Sequence, residues 1–245
     1  MELRVLTLYP DQMNIYADRG NILFLRRRCE WRGIGFELAG AGAGDAVDPA
    51  AHDLFCVGGG QDRDQRAVAG DMAASKRDAL AAAVDDGAVL LAVCGGYQLL
   101  GHSYQLGEER LPGLGLADLE TVREEGPRLI GNVEIEAEID GRAQTIAGFE
   151  NHGGRTYLGT EAEPLGRVSS GFGNNGKDGL EGVRSGNLFG TYLHGPLLPK
   201  NAWLADHLIA LALERRSGSR PELEPLDDSL EAAAHESARR AVRSG

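Results

Sequence analysis

Apolar runs and helical patterns alternate through the first hundred residues of the chain. Runs rich in Val, Ile, Leu and Phe predict strands at residues 3–9, 34–38, 53–57 and 88–93. Residues 21–31 have apolar positions at helical spacing and residues 62–86 are rich in alanine, so both are predicted to be helices. Strands that alternate with helices build a parallel sheet covered by helices, so this region predicts an α/β module.

The pattern changes beyond Leu111. Residues 131–139 and those leading into Phe149 alternate between apolar and polar side chains, which predicts antiparallel strands added to the module. Residues 169–182 are glycine-rich and predict a loop. Residues 187–193 predict a last strand, and residues 199–215 predict an amphipathic helix.

These elements predict one domain followed by a tail. The domain covers residues 1–215 and has a mostly parallel central sheet, helices on both faces and an added antiparallel portion. Residues 216–245 form a polar C-terminal tail, within which residues 229–242 carry the pattern of one further helix.

Composition and charge exclude several classes of function. Of the 245 residues, 42% are hydrophobic and 25% charged, which is typical of a globular protein. The net charge of -12 argues against nucleic acid as the main ligand, because phosphate binding needs a basic face.

The start of the chain has no basic leader, and no apolar run reaches the ~20 residues that span a bilayer, which predicts a cytoplasmic protein without a membrane span. The three cysteines form no Cys-x-x-Cys pair, so neither a disulfide framework nor a metal site is predicted.

The chemistry centres on Cys94, which follows the buried strand at residues 88–93. Small residues surround it, at Ala92, Gly95 and Gly96. A sharp strand-to-helix turn crowds the backbone, so small neighbours are what let a nucleophile stand exposed at its tip. The N–H of Gly95 is predicted to stabilise an oxyanion, together with an N–H from the glycine turn that ends at Gly60.

A cysteine nucleophile needs a base, and His194 is the leading candidate because it ends the last predicted strand and a loop follows. His102, His152 and His235 remain alternatives on sequence alone. Cys29 and Cys56 lack the glycine context and are interpreted as structural.

With these residues in place, the chain resembles class I glutamine amidotransferases of the cobyric-acid-synthase-like branch. The resemblance covers residues 3–211 and rests on three motifs, at residues 94–98, 148–152 and 192–195. Within the branch, four longer strings resemble the GatD family, the glutaminase subunits of lipid II isoglutaminyl synthase. They lie at residues 9–11, 14–21, 58–62 and 150–156.

The resemblance implies a three-layer amidotransferase fold and a reaction that is shared between two subunits. This chain would hydrolyse L-glutamine with Cys94 and His194, without a metal or organic cofactor of its own. A Mur-ligase-like synthetase subunit, bound as a heterodimer, would use ATP and magnesium to activate the α-carboxyl of D-glutamate in lipid II and amidate it. Arg128, at the matching motif, would bind the substrate glutamine, and Gln98 is assigned to the same substrate site.

One residue departs from the wider superfamily, in which a glutamate two positions after the histidine orients the imidazole. That position is Pro196 here, and a proline cannot accept the ring N–H. The acid could be Glu150, another acid of this chain, or an acid supplied by the partner. We favour the partner, because glutamine would then not be hydrolysed when the partner is absent.

Three rival functions share parts of this pattern. The acceptor of the ammonia could be another molecule, such as a cobyric-acid-like cofactor precursor. A thiol hydrolase or peptidase of the same architecture would have the same strand-to-helix turn at Cys94 and the same histidine. A non-catalytic binding subunit would carry an idle Cys94.

Overall fold

The structure is a computed structural model that describes residues 1–15 and 18–243. Tyr16 and Ala17, which belong to the string at residues 14–21, lie outside the described residues. Ser244 and Gly245, the last residues of the predicted tail, lie outside them as well.

The described residues form strands and helices in an order that agrees with the predicted α/β class. The strands are β1 (Glu2–Leu8), β2 (Gly35–Ala41), β3 (Leu54–Val57), β4 (Val89–Val93), β5 (Ser103–Leu106), β6 (Glu109–Pro112), β7 (Leu119–Arg123), β8 (Leu129–Ile139), β9 (Arg142–His152), β10 (Gly154–Leu158), β11 (Gly166–Ser170), β12 (Leu180–Glu181), β13 (Val183–Ser185) and β14 (Leu188–Thr191). The helices are α1 (Arg19–Trp31), α2 (Asp62–Asp71), α3 (Arg77–Asp85), α4 (Gly95–Gln98), α5 (Ala202–Ser217) and α6 (Ser229–Arg243).

The central sheet has the strand order β13-β14-β4-β3-β1-β2. Its strands pair in parallel except for β13, which runs antiparallel to β14. Every residue of β3 and β4 is buried, as expected for strands covered on both faces. Because the strands are parallel, β1, β3, β4 and β14 all end at the same edge, where functional side chains collect in α/β folds.

The second half of the chain adds two smaller sheets, with strand orders β10-β7-β5-β6 and β12-β11-β8-β9. In the second of them, β8 and β9 form a long antiparallel hairpin in which Leu129 pairs with His152. This register brings the residue before β8, Arg128, beside the end of β9. The predicted mostly parallel sheet with an added antiparallel portion is confirmed.

The predicted helix at residues 62–86 is interrupted. A π-helical turn, Met72–Lys76, separates α2 from α3. The buried Lys76 ammonium donates to Asp71 at 2.6 Å, and the Tyr9 hydroxyl donates to the same carboxylate at 2.6 Å. Tyr9 has a positive φ of 49° just after β1, so this group fixes the start of the loop that follows.

The C-terminal tail is held against the domain by buried charge. Arg28 of α1 is fully buried and donates from Nε to Asp206 of α5 at 2.5 Å. Its Nη1 donates to Asp228, just before α6, at 2.6 Å. Farther along α6, Arg239 forms an ion pair with Glu134 of β8 at 3.2 Å. The tail therefore contacts the domain at α1 and at β8.

Candidate active site

Cys94 stands at the tip of a sharp turn between β4 and the one-turn helix α4. Its backbone has φ 50° and ψ −103°, a conformation that residues other than glycine rarely adopt and that functional sites hold under strain. The turn needs glycine beside it: a Cβ on Gly96 would lie 2.7 Å from the carbonyl oxygen of Val57. The structure thus has the sharp strand-to-helix turn that the small residues around Cys94 predict.

The other two cysteines lack this setting. All three cysteines belong to the hydrophobic core, but Cys29 lies within α1 and Cys56 within β3 rather than at a strand-to-helix turn. Burial raises the pKa of both thiols. A thiol that stays protonated is a poor nucleophile. Both side chains therefore fit the structural role that their sequence context predicts.

His194 follows β14 and is fixed by backbone bonds to β9. Its N–H donates to the carbonyl oxygen of Phe149 at 2.8 Å, and the N–H of Phe149 donates back at 3.3 Å. Burial alone would lower the pKa of this fully buried imidazole, but interaction with the negative Cys94 and with Asp18 raises it to about 10. These interactions favour an imidazolium paired with a thiolate.

Asp18 supplies a carboxylate that orients this imidazole. Its Oδ1 lies 3.2 Å from His194 Nδ1, and its Oδ2 accepts a hydrogen bond of 2.8 Å from the N–H of Gly59. The Asp18 side chain is 4% exposed, so the contact is shielded from water. Because Nδ1 faces the carboxylate, Nε2 is the ring nitrogen that such an arrangement uses for proton transfer.

The structure corrects the sequence-based account of the third acid. Glu150 accepts hydrogen bonds from the N–H groups of Phe172 (2.6 Å) and Gly173 (2.9 Å), and it lies 3.5 Å from His152 Nε2. These contacts favour a structural role for Glu150 over that of the orienting acid. Asp18 holds the Nδ1 side of His194. An acid of this chain, the second alternative, thus occupies the Nδ1 side of the ring, and an acid from the partner stays a prediction.

The sequence does not single out Asp18 as catalytic, because an aspartate at this position is common for a structural reason. It is the N-cap residue of α1, where aspartate is common because its side chain caps the helix. Here the carboxylate makes no cap hydrogen bond and turns to His194 instead. Pro196, at the superfamily's glutamate position, packs against Gly20: a Cβ on that glycine would lie 2.5 Å from Pro196 Cγ. The signal for Asp18 was its place beside the carboxyl edge of the parallel sheet.

The two predicted oxyanion donors lie together next to the nucleophile. A Cβ on Gly95 would be 2.8 Å from the nitrogen of Gly60, which shows how closely the two backbones approach. The hydrogen bonds of the described residues include no acceptor for either N–H. Two neighbouring backbone donors without an acceptor, close to a thiol, match the arrangement that binds the oxyanion of acyl transfer.

A cavity of about 360 Å³ opens at Cys94 and brings together most of the predicted site residues. Gly60, Gln98 and Arg128 all line it. The Gln98 side chain is already engaged, because its oxygen accepts from Gln65 at 2.7 Å and its nitrogen donates to the Tyr192 hydroxyl at 3.2 Å. Gln98 therefore shapes the cavity wall through a fixed orientation.

Arg128 enters this cavity from the start of β8. Its Nε donates to the side-chain oxygen of Asn151 and its Nη2 to the backbone oxygen of the same residue, both at 2.7 Å. Two bonds to one residue hold the guanidinium plane in place. A braced guanidinium is suited to bind a carboxylate.

His152, an alternative base on sequence alone, also lines the cavity. Its ring stacks on Tyr192 with centroids 3.5 Å apart, and Nδ1 lies 2.7 Å from the carbonyl oxygen of Gly154. Burial lowers the pKa of His152, which favours the neutral ring. The ring of His102 lies 3.1 Å from Asp118, and the ring of His235 lies 2.9 Å from the Thr145 hydroxyl. His194, by contrast, interacts with Cys94 itself. The geometry therefore favours His194 as the base.

Comparison with known proteins places the chain in a family. Residues 4–202 match the model of the CobB/CobQ-like glutamine amidotransferase domain. The chain belongs to this family. Subunit GatD of lipid II isoglutaminyl synthase (glutamine-hydrolyzing) from Staphylococcus aureus (strain N315) is 41% identical over 218 residues, 88% of this chain and 86% of that protein. The same subunit from Streptococcus pneumoniae (strain ATCC BAA-255 / R6) is 38% identical over 231 residues, 94% of this chain and 87% of that protein.

A solved structure supports the fold independently. The structure of PurLQS from Thermotoga maritima matches with a TM-score of 0.55 and 21% identity, over 79% of this chain and 88% of that one. Such a likeness bears on the fold alone. Among residues 1–15 and 18–243, no helix combines the length and apolar character that crossing a membrane requires.

Proposed function

We propose that this chain is the glutaminase subunit of a lipid II isoglutaminyl synthase. The observation that carries the proposal is the similarity to two GatD subunits, which extends over most of each chain. The active-site geometry supports it, because Cys94, His194 and Asp18 meet beside a cavity with two unused N–H donors and a braced arginine. These parts match what amide hydrolysis through a thioester requires.

The first half of the reaction forms the thioester. The Cys94 thiolate attacks the carboxamide carbon of L-glutamine, and the N–H groups of Gly60 and Gly95 hold the oxyanion that forms. The His194 imidazolium gives its proton to the departing nitrogen, which leaves as ammonia. Asp18 stabilises the imidazolium and keeps the ring in the productive orientation.

The second half regenerates the enzyme. Neutral His194 takes a proton from water, and the resulting hydroxide attacks the thioester carbon. Collapse of the second oxyanion breaks the carbon–sulfur bond, releases glutamate and restores the thiolate and imidazolium. Each turnover consumes one glutamine and one water and produces one glutamate and one ammonia.

The ammonia passes to a Mur-ligase-like synthetase subunit bound as a heterodimer in the cytoplasm. That partner activates the α-carboxyl of D-glutamate in lipid II with ATP and magnesium, and the ammonia amidates it. This chain contributes no cofactor of its own. Arg128 binds the α-carboxylate of the substrate glutamine.

The test uses the purified chain together with its candidate partner, lipid II and ATP. Wild-type chain should support lipid II amidation with glutamine, whereas Cys94→Ala and His194→Ala should not. Ammonium chloride supplied in place of glutamine should restore amidation with both variants, because it bypasses only the glutaminase step. This rescue separates loss of ammonia production from failure to assemble.

Other outcomes would point to the rival functions. Steady peptide hydrolysis by the isolated chain would favour a thiol peptidase. Unchanged amidation by Cys94→Ala with glutamine would favour a binding subunit. Ammonia release without lipid II amidation would favour another acceptor, such as a cobyric-acid-like precursor.

A further inference from the structure

The cavity at Cys94 has chemically different walls. Gly60, Asp62 and Arg63 line it on the side of the glycine turn, and Arg128 with Asn151 line it from β8 and β9. Arg63 lies 3.5 Å from Asp64, outside the cavity, which leaves Asp62 without a partner of its own. Asp62 is the one carboxylate among the described residues that line the cavity. A ligand that reaches both walls therefore meets a negative and a positive group.

Asp62 has no partner that would explain its position within the described protein. It is the first residue of α2 and makes no hydrogen bond or ion pair among the described residues, whereas Asp64, two residues on, lies 3.5 Å from Arg63. An acid in the first turn of a helix stabilises the helix dipole, and this effect accounts equally for Asp62 and Asp64. It does not account for a carboxylate on the cavity wall.

Tyr104 gives a second, independent indication of a ligand. Its side chain is 1% exposed and lines the same cavity, yet its hydroxyl has no hydrogen-bond partner among the described residues. Burial raises the pKa of Tyr104, and the negative charge of Asp62 raises it further, while the charges of Arg123 and Arg128 lower it. The hydroxyl is therefore within electrostatic reach of both walls and is open to a hydrogen bond from a ligand in the cavity.

The spacing along the chain places these groups relative to the reacting carbon. In the mechanism proposed above the N–H of Gly60 binds the oxyanion, and Asp62, two residues farther along the chain, lines the same cavity. The carboxamide of a bound glutamine lies between Cys94 and Gly60, and its α-carbon lies one side chain away. The two charged groups on that carbon are an ammonium and a carboxylate.

We propose that Asp62 binds the α-ammonium group of L-glutamine, with the Tyr104 hydroxyl accepting a second hydrogen bond from it. This assignment rests on the glutaminase function proposed above and adds a specificity determinant to it. Arg128 takes the carboxylate, so the cavity selects a free α-amino acid. N-acylated glutamine and glutamine within a peptide lack the ammonium and are excluded.

The test measures binding in the Cys94→Ala background, where bound substrate is not consumed. L-Glutamine is compared by calorimetry with 4-carbamoylbutanoate, which is glutamine without the α-amino group. Adding Asp62→Asn should weaken L-glutamine binding roughly 10- to 100-fold, the range for a hydrogen bond to a charged group. It should leave the affinity for 4-carbamoylbutanoate within about twofold, a margin well below the energy of one such bond.

The matched control is Asp64→Asn, which removes an acid from the same helical turn outside the cavity. It should leave both affinities unchanged. Equal weakening of both ligands by Asp62→Asn, or no weakening of either, would overturn the assignment. Failure of the Cys94→Ala protein with intact Asp62 to bind L-glutamine would instead overturn the proposed function, and the assignment with it.

Discussion

Replacing Asp18 by asparagine tests whether this chain carries its own catalytic acid. The Asp18 carboxylate accepts from the N–H of Gly59 with one oxygen and faces His194 Nδ1 with the other. Asparagine has a single oxygen, which the buried N–H of Gly59 requires. Its NH₂ group would therefore face Nδ1 and favour the tautomer with the proton on Nε2, which cannot take a proton from Cys94.

The structure gives the size of the expected effect. Two unit charges 3.2 Å apart attract each other by about 5 kcal/mol at an effective dielectric constant of about 20. If half to all of this stabilisation of the imidazolium is lost, kcat/KM falls roughly 70- to 5,000-fold, since about 1.4 kcal/mol is a factor of ten. KM should change little, because Asp18 does not reach the substrate.

The assay is ammonia release from L-glutamine across a pH series. Asp18 is one of the groups that raise the pKa of His194 to about 10. Its removal lowers that pKa, so the alkaline limb of the kcat/KM profile should move to lower pH. The rate at which iodoacetamide alkylates Cys94 near neutral pH should fall in parallel, because less thiolate is paired with an imidazolium.

Asp11→Asn is the matched control, since Asp11 is exposed on the same loop and should leave the rate and the profile unchanged. Measurements with and without the partner separate the two sources of the acid. A loss that appears in both conditions supports Asp18. Wild-type kcat/KM and an unshifted profile in Asp18→Asn would refute the reasoning, and a loss confined to the isolated chain would restore the acid from the partner.

Three further variants test other parts of the structure. Gly95→Ala should lower kcat roughly 10²- to 10³-fold and also lower the melting temperature, because its Cβ would lie 2.8 Å from the nitrogen of Gly60 and force that oxyanion donor to move. Unchanged kcat in the folded variant would contradict this. Arg28→Met should reduce the free energy of unfolding by about 1.5–3 kcal/mol in urea, because it removes the partner of Asp228 and one of the two arginines that pair with Asp206. Arg27→Met, at an exposed ion pair, should change it by less than about 1 kcal/mol. Burial raises the pKa of Glu181 to about 8, so the native state binds a proton that the unfolded state loses above its ordinary pKa of 4.5. Stability should therefore fall as pH rises through this window, by at most about 1.4 kcal/mol per pH unit, and Glu181→Gln should remove that part of the slope in thermal melts.

The parts of the site that were predictable are those with a local cause. Cys94 needs glycine after it because the strand-to-helix turn leaves no room for a side chain, as the contact between Gly96 and Val57 shows. His194 closely follows β14, a strand of the central sheet, and parallel strands bring the residues that follow them to one edge. The glycines that follow Cys94 and the apolar run that precedes His194 are each visible within about ten residues of sequence.

The parts that were missed depend on residues far apart in the chain. Asp18 and His194 are separated by 176 positions, and no periodicity links them. The π-helical turn after Asp71 serves the buried contact of Lys76 and Tyr9 with that carboxylate, whereas alanine-rich sequence predicts an unbroken helix. In both cases a tertiary contact decides what a local propensity leaves open.

The loop between β1 and α1 contacts two parts of the site, the imidazole of His194 and the glycine turn that ends at Gly60. Its N–H at Ile15 donates to the carbonyl oxygen of Gly59 at 3.0 Å, and a Cβ on Gly60 would lie 2.6 Å from the sulfur of Met13. The same loop ends in Asp18, so it carries the acid that orients His194 and packs against the turn that supplies an oxyanion donor. Displacing it would remove both at once.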